Sequence, residues 1–529
     1  MKYRQTALAT TTGLVLALAF NTPLGWPLIF FALIPLFKLI GEFRHEENQK
    51  KLFLLTFLAG FIFFGITSIW AFSLLPLTWA GIESKMVSFA LVFYIWVVSN
   101  AVAALAPAFF AYSFSYLRRH AHLARGNTFN LLLAPALWII FEYLRAFAIS
   151  LLWAGPGSLI GAHWTIGFLG YALVKVPPLL SLAGLGGVYL LSFVVVYLNY
   201  ILYQLFSKSL GWRQALALAS IPFVIGTLAL VLNRPSEIEQ KFKLAIITTQ
   251  EPSFLHITQK EMLASLEKFK TLLWEAKDNY DPDIIILPED ARLLRKMEIA
   301  KEQNYLTKNF GDRERLIIES SRVTEPTGEV KSKFFFINTK DGTVAISEKF
   351  FLVPNGEYLP YITQVIASIM NDESLAKFKE ERNYHRGTVA RVASFRGVKI
   401  GALFCSEIIT NILYQKLTNQ GANILINAAS QSLFHGSYLL YNQTVNMGQV
   451  RAVENNRYFI QASNFVPSYV VSNTGRVVAR SAWGETSVLG ATVPAITHNT
   501  PYSKLGDWIL LLSLIIVILG LPKRRGGIN

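Results

Sequence analysis

Three residues stand where apolar runs end, and their types suit nucleophilic chemistry. Glu289 lies in Pro288-Glu289-Asp290. Lys349 opens the stretch Lys349-Phe350-Phe351-Leu352-Val353-Pro354-Asn355-Gly356-Glu357-Tyr358. Cys405 lies in Phe404-Cys405-Ser406-Glu407. The thiolate rather than the thiol is the attacking species, and a neighbouring ammonium is expected to lower the thiol pKa. A carboxylate can take the thiol proton and return it to a leaving group. The ammonium, with a backbone N–H after the cysteine, would stabilise the oxyanion of a tetrahedral intermediate. Cys405 is the one cysteine of the chain, so it forms no internal disulfide. Each residue also has a plainer reading. Cys405 could be a small buried hydrophobe, Glu289 and Lys349 solvated charges, and Glu357 and Glu407 surface carboxylates or partners of an arginine. Spacing alone does not bring them together.

The elements that must position these residues read as an α/β domain. Lys243–Ile247 and Asp283–Leu287 are short apolar runs flanking Thr258–Asp278, where Met262, Leu266, Phe269 and Leu273 recur at helical spacing. That is strand–helix–strand, with near-continuous apolar strands suited to a sheet covered on both faces. Lys333–Asn338 and Val344–Ile346 flank Asp341-Gly342, a hairpin turn dipeptide. Val398–Phe404, Ala422–Asn427 and Tyr458–Ala462 are further strands, Arg451–Asn455 is helical, and a last hairpin turns at Thr474-Gly475. The three candidate residues then fall at carboxyl ends of strands, where α/β sheets gather their chemistry.

The composition demands a membrane part. Of 529 residues, 52% are apolar and 16% charged, against about 25% charged in soluble domains; mean hydropathy is +0.38. Disordered, collagen-like and disulfide-stapled classes are excluded. Residues 1–235 hold fifteen basic and five acidic residues with no Asp, a net +10 of the total +15. Charge concentrated on the apolar part favours anionic lipid head groups over nucleic acid. Apolar stretches near 6–21, 25–41, 52–75, 87–117, 129–150, 179–206, 214–232 and 507–521 predict about eight spans. The sequence predicts an N-terminal bundle over 1–235, a water-facing domain over 236–500, and a last span with a basic tail over 501–529.

Alternating positive charge sets the orientation. With Lys2 and Arg4 inside, the inner connections carry Arg44, Lys50 and Lys51, then Arg118, Arg119 and Arg125, then Lys208 and Arg213, and finally Lys523-Arg524-Arg525. The outer connections hold only Lys85 and Lys175, which puts 233–505 outside the cytoplasm. A cleaved signal peptide ending near Ala17-Leu18-Ala19 is the weaker reading, because a second apolar span follows at once. Glu142 and Arg145 lie one helical turn apart within an apolar span and are expected to pair on one face. The segment 151–178, broken by Gly and Pro, is expected to dip into the outer leaflet.

The order of the Pro288-Glu289, Lys349 and Cys405 segments resembles the carbon–nitrogen hydrolase (nitrilase) superfamily, whose members use a Glu–Lys–Cys triad on an αββα sandwich. With eight spans the chain resembles the membrane-bound branch, the apolipoprotein N-acyltransferases. Leu352-Val353-Pro354-x-Gly356-Glu357-Tyr358, Cys405-x-Glu407, Arg451-Ala452-x-Glu454-x-x-Arg457, Glu142-Tyr143-Leu144-Arg145 and Gly187-Val188-Tyr189 through Asn199 carry the likeness. The resemblance implies Glu289 as general base, Lys349 as oxyanion stabiliser, Cys405 as nucleophile, and Glu357 and Glu407 as supporting carboxylates. It implies acyl transfer from a phospholipid through a cysteine thioester to the N-terminal amine of a diacylglyceryl-cysteine lipoprotein, with no metal or dissociable cofactor. It also implies a multi-pass protein of the bacterial inner membrane with its catalytic domain on the periplasmic side. A membrane-anchored amidase or lipid hydrolase using the same triad is the alternative, and a transporter or scaffold that merely binds is the non-enzymatic rival.

An acyl-enzyme of this kind must be kept from water. The 151–178 segment, Phe350-Phe351 and Ser432-Leu433-Phe434 are expected to cover it. Ser406, Asn355 and 428–434 depart from the family pattern, so they bear on substrate preference and rate.

Overall fold

The computed structural model describes residues 2–43, 48–120, 127–232, 240–252, 258–370, 384–388 and 391–522. Arg44, Arg125, the 235/236 boundary and Lys523-Arg524-Arg525, all part of the orientation argument, lie outside the described residues.

The soluble half is two six-stranded sheets packed face to face. The first has the order β12-β1-β2-β3-β4-β5, with β1 Lys241–Thr248, β2 Ile284–Ile286, β3 Leu316–Thr324, β4 Val330–Asn338, β5 Gly342–Glu348 and β12 Ser487–Pro494. The second has the order β11-β10-β9-β8-β7-β6, with β6 Val392–Phe395, β7 Val398–Phe404, β8 Ile424–Ser430, β9 Tyr458–Asn464, β10 Tyr469–Val471 and β11 Val477–Arg480. The central strands β1-β2-β3 and β7-β8-β9 run parallel and the outer ones antiparallel. Ile246, Ile286, Ile318, Ile400, Ile426 and Ile460 meet between the sheets. Burying both faces of such strands requires helices outside. Gln259–Tyr280 covers the first sheet through Leu266, Phe269 and Leu273. It starts at a capping box in which the Thr258 side chain and Glu261 satisfy each other's backbone N–H. Asn411–Asn419 and Tyr438–Asn455 cover the second sheet. The result is the expected αββα sandwich. Strands β3, β6 and β12 were not predicted.

Five segments among the described residues are long and apolar enough to cross a bilayer: Gln49–Leu74, Lys85–His120, Thr128–Leu152, Ala183–Phe206 and Trp212–Leu232. The expected count of eight is therefore not reached on this measure, for physical reasons. The helix Lys2–Asn21 has the length, but Lys2, Arg4, Gln5 and three consecutive threonines dilute it. Residues 25–41 are split into a short turn, Trp26–Phe30, and a nine-residue helix, Ile34–Glu42, each opening with a proline. Trp508–Leu519 spans twelve residues.

The two halves share one core. Phe37, Tyr171 and Tyr189 of the membrane part belong to the same buried cluster as Leu425, Tyr441, Val445 and Phe459 of the second sheet and its helix. The helix Ala183–Phe206 breaks at Gly186–Gly187, where Gly187 has φ +68° and a Cβ would meet the Tyr502 ring at 2.4 Å. Only glycine accepts that backbone without strain. The N–H of Val188 just beyond the break donates to Glu454 Oε1 at 2.9 Å. Glu454 in turn pairs with Arg451, which also bonds the Tyr171 hydroxyl and, at 3.3 Å, the Ile408 carbonyl. Two motifs far apart in sequence thus meet as a structural joint.

Candidate active site

Strand β2 ends at Ile286, and after Leu287-Pro288 the next residue, Glu289, projects toward the end of β8. Its Oε2 accepts from the Ser430 N–H at 3.2 Å and its Oε1 from Lys349 Nζ at 3.0 Å. Lys349 directly follows β5, and its side chain is 2% exposed. The same ammonium donates to Glu357 Oε1 at 2.8 Å. Glu357 reaches back because residues 353–358 fold into a tight loop. The Glu357 N–H donates to the Val353 carbonyl, the Asn355 N–H to the Tyr358 carbonyl, and Glu357 Oε2 accepts from the Val353 N–H at 2.8 Å. Asn355 sits at φ +60° within that turn, a left-handed position asparagine tolerates, and accepts from Thr363.

Cys405 follows β7, and its Sγ donates weakly to the Ser430 carbonyl at 3.7 Å. Glu289 and the thiol are therefore both held by Ser430, one by its N–H and one by its C=O. Glu407 is fully buried and touches none of the triad side chains. Its Oε1 accepts from the Phe350 and Phe351 N–H groups at 2.7 and 3.0 Å, and its Oε2 from the Phe404 N–H at 2.7 Å. It ties the strand before Cys405 to the loop after Lys349. The Ser406 hydroxyl adds a bond to the Phe351 carbonyl at 3.0 Å.

Lys349 lowers the Cys405 pKa, as expected, but it is outweighed: burial first and Glu289 next push the thiol well above its ordinary value. One ammonium faces two carboxylates, and those carboxylates, with Cys405, hold Lys349 firmly protonated although burial alone would lower it. Burial raises Glu289 above the usual carboxylate range, against the pull of Lys349. Burial likewise pushes Glu407 up to about 7 against its backbone donors. The resting site is a protonated thiol beside a strengthened base.

Cys405 opens onto an apolar cavity of about 350 Å³. Catalytic-domain loops supply Phe351, Ser406, Gln431 and Phe434, and the membrane part supplies Trp70, Trp96, Arg145 and Trp164. All three expected cover segments border it. The Phe351 ring meets His163 and Trp164 edge-on at 5.8 and 5.6 Å, and Phe434 meets Trp70 at 5.5 Å. The 151–178 segment is a strap rather than a free dip. Tyr358 and Tyr361 bond the carbonyls of Trp153 and Ala154, and Thr165 bonds the Ile409 carbonyl. The walls from Trp70, Trp79 and Trp96 were missed in sequence. Trp70 and Trp79 sit in short turns around Pro76, and tryptophans clustered at a broken span end were the available signal. Glu142 and Arg145 do not pair directly. Glu142 accepts from Trp138 and the Leu169 N–H, both at 3.0 Å, and Arg145 donates to the Ile166 carbonyl at 2.8 Å.

No cluster of three or more His, Cys, Asp or Glu side chains suited to a metal ion occurs among the described residues.

Comparison with known proteins follows the same division. Residues 12–201 match the apolipoprotein N-acyltransferase N-terminal domain, and residues 313–501 match the carbon–nitrogen hydrolase domain. An apolipoprotein N-acyltransferase of Geobacter metallireducens is 24% identical over 99% of this chain and 96% of its own length. That of Vibrio cholerae is 25% identical over 95% and 94%. Among solved structures, Saccharomyces cerevisiae Nit3, of the nitrilase superfamily, aligns at 15% identity and TM-score 0.36, covering 49% of this chain and 93% of that one.

Proposed function

The chain belongs to the apolipoprotein N-acyltransferase family, and from that premise we propose that it moves a fatty acyl chain from a phospholipid to the N-terminal amine of a diacylglyceryl-cysteine lipoprotein. The observation that carries the reading is the cavity: a thiol beside an acid–base pair opens onto an apolar space walled by membrane segments.

In the first half-reaction Glu289 takes the Cys405 proton as Sγ attacks the acyl ester carbonyl. A thiol held protonated at rest favours deprotonation coupled to attack over a standing thiolate. Lys349, fixed as a cation by Glu289 and Glu357, and the Ser406 N–H stabilise the tetrahedral oxyanion. Collapse breaks the ester C–O bond, Glu289 protonates the departing glycerol oxygen, and a thioester and lysophospholipid result. In the second half-reaction the lipoprotein α-amine attacks the thioester and Glu289 takes its proton; collapse breaks the C–S bond to leave the amide, and Glu289 returns the proton to the departing sulfur, regenerating the thiol. Glu357 and Glu407 act as positioning residues, the first on Lys349 and the second on the Phe350–Phe351 loop. The dry wall of Phe351, Trp164 and Phe434 keeps water from the thioester.

The same reading assigns 1–235 to the membrane bundle, 236–500 to the catalytic domain and 501–529 to a C-terminal span and tail. It places the protein in the bacterial inner membrane with the catalytic domain periplasmic. A reporter fused after Ser236 is expected to be active only on the periplasmic side; cytoplasmic activity would reverse the orientation.

The deciding experiment is intact mass of the purified protein mixed with phospholipid. A hydroxylamine-sensitive acyl adduct on Cys405 is expected, discharged by a diacylated lipopeptide whose amine gains the chain. An adduct released only as free fatty acid would make the protein a hydrolase. Absence of any adduct would remove the acyl-enzyme.

A further inference from the structure

Arg145 occupies an unusual position. It is 6% exposed, lies in the helix Asn127–Leu152, and lines the same cavity as Cys405. Its guanidinium lies over the rings of Phe64 and Phe168, at 4.6 and 5.0 Å from their centroids. Nη1 has an acceptor in the Ile166 carbonyl. Nε and Nη2 are buried and have none. Buried donors are almost always satisfied, so a pair of orphans on one guanidinium asks for an explanation.

The two orphans form one edge of the planar fork. That edge matches two oxygens of a phosphate or carboxylate as a bidentate acceptor. The two ring contacts and the Ile166 bond hold the guanidinium in place. The surrounding wall is largely apolar, with Ile149, Trp153, Trp164 and Ile166 nearby, so it offers little to a charged fork. Glu142, one turn away, offsets the charge; its Oε1 accepts from Trp138 and the Leu169 N–H, and its Oε2 is buried without a partner and makes no hydrogen bond to the guanidinium. The acceptor therefore arrives with the ligand. Arg145 lies seven residues before the helix end at Leu152, about 10 Å along the axis, where that helix passes into the strap beside the catalytic loops.

We propose that the Nε–Nη2 edge of Arg145 binds the phosphodiester of the acyl-donor glycerophospholipid and so sets the donor's ester at Cys405. This rests on the acyltransfer reading above and adds to it the group that tells a phospholipid from a neutral acyl ester. Arg145 is a binding residue here and takes no part in bond making.

The test measures Cys405 acylation by intact mass in a single turnover, with phosphatidylglycerol or with diacylglycerol of the same chains, in the same detergent. The wild type is expected to favour the phospholipid by roughly ten- to hundredfold, the scale of a hydrogen-bonded charge contact. Arg145→Gln is expected to erase that preference, losing far more rate with phospholipid than with diacylglycerol. Arg145→Lys keeps the charge without the fork and falls between them. Thermal unfolding of each variant identifies loss of fold. Inorganic phosphate at millimolar concentration is expected to leave the phospholipid rate alone, and effective competition by it would make this a site for free anions and overturn the lipid assignment. A wild type that acylates equally from both lipids overturns the proposal while leaving acyl transfer standing, as does equal loss of both rates in Arg145→Gln. A wild type that takes no chain from either lipid defeats the acyltransfer reading itself, and that failure is visible before any substitution.

Discussion

Two buried charge clusters divide the work of this molecule. Glu289 and Glu357 both pair with the Lys349 ammonium, in the same site as Cys405, whose thiol opens onto a cavity. Arg451 pairs with Glu454, both are fully buried, Asp507 lies near enough to act on both, and their hydrogen-bond partners include Tyr171, the Ile408 carbonyl and the Val188 N–H. The first cluster sits beside an open cavity; the second is sealed. Burial of charge marks both, so it cannot by itself mark chemistry. An open side and a nucleophile at hand are what distinguish a reacting cluster from a joint.

The sharpest way to break that contrast is to remove the nucleophile. Cys405→Ala is expected to lower acyl transfer by roughly four or more orders of magnitude. The melting temperature should barely change, because the thiol's hydrogen bonding among the described residues is a weak 3.7 Å bond to Ser430. Residual transfer near the wild-type rate would place the nucleophile elsewhere.

A paired substitution tests the two clusters directly. Glu289→Gln keeps an acceptor for Lys349 but removes the base, and about 10²–10⁴-fold of the acylation rate should go with it. Glu454→Gln leaves Arg451 charged and underpaired in a sealed site, and should cost about 3–5 kcal/mol of stability. Its rate per folded molecule should move far less than in Glu289→Gln. Denaturation in detergent and single-turnover mass labelling read the two quantities. Equal effects of both substitutions on both readouts would erase the distinction.

The pH dependence sharpens it further. A base works only when ionised, so acylation should rise with pH through the Glu289 pKa. Burial raises that pKa, so the rising limb should lie above the ordinary Glu value of about 4.3. The limb should vanish in Glu289→Gln and persist in Glu454→Gln. A limb at or below the ordinary value would mean that the base sits in water.

How far the sequence revealed this arrangement depends on the range of the interactions involved. Strand β2 and the helix Gln259–Tyr280 announced themselves, because an Ile-Ile-Ile run and apolar residues at helical spacing are local signals. Glu289, Lys349 and Cys405 were legible as strand-end residues, but their meeting was not. It is made by the parallel registers β1–β2 and β7–β8 and by Ser430, which bonds Glu289 and Cys405 from a third strand. The thiol's net direction was not legible because a sequence shows neither how deeply Cys405 is buried nor that Glu289 faces it alongside Lys349. Strand β12 was missed because its antiparallel pairing to β1 spans more than two hundred residues. The break at Gly187 and the partner of Arg451 depend on contacts between halves, which no local pattern carries.

The smallest expected effect concerns the contact between the halves nearest the thiol. Phe434 closes the turn Ser432–Phe434 and meets Trp70 of the membrane part edge-on at 5.5 Å. An aromatic pair of this kind contributes about 0.5–1.5 kcal/mol beyond its buried area. Phe434→Ala should therefore raise the KM for phospholipid by about two- to tenfold, through a looser cavity wall. Turnover should hold, because the preceding residues are fixed independently: the Gln431 N–H donates to the Asn464 carbonyl at 3.0 Å, and the Ser430 N–H keeps its bond to Glu289. A turnover loss as deep as that of Glu289→Gln would instead show that the Trp70–Phe434 contact sets the position of Ser430. The membrane half would then belong to the reacting cluster rather than to the wall around it.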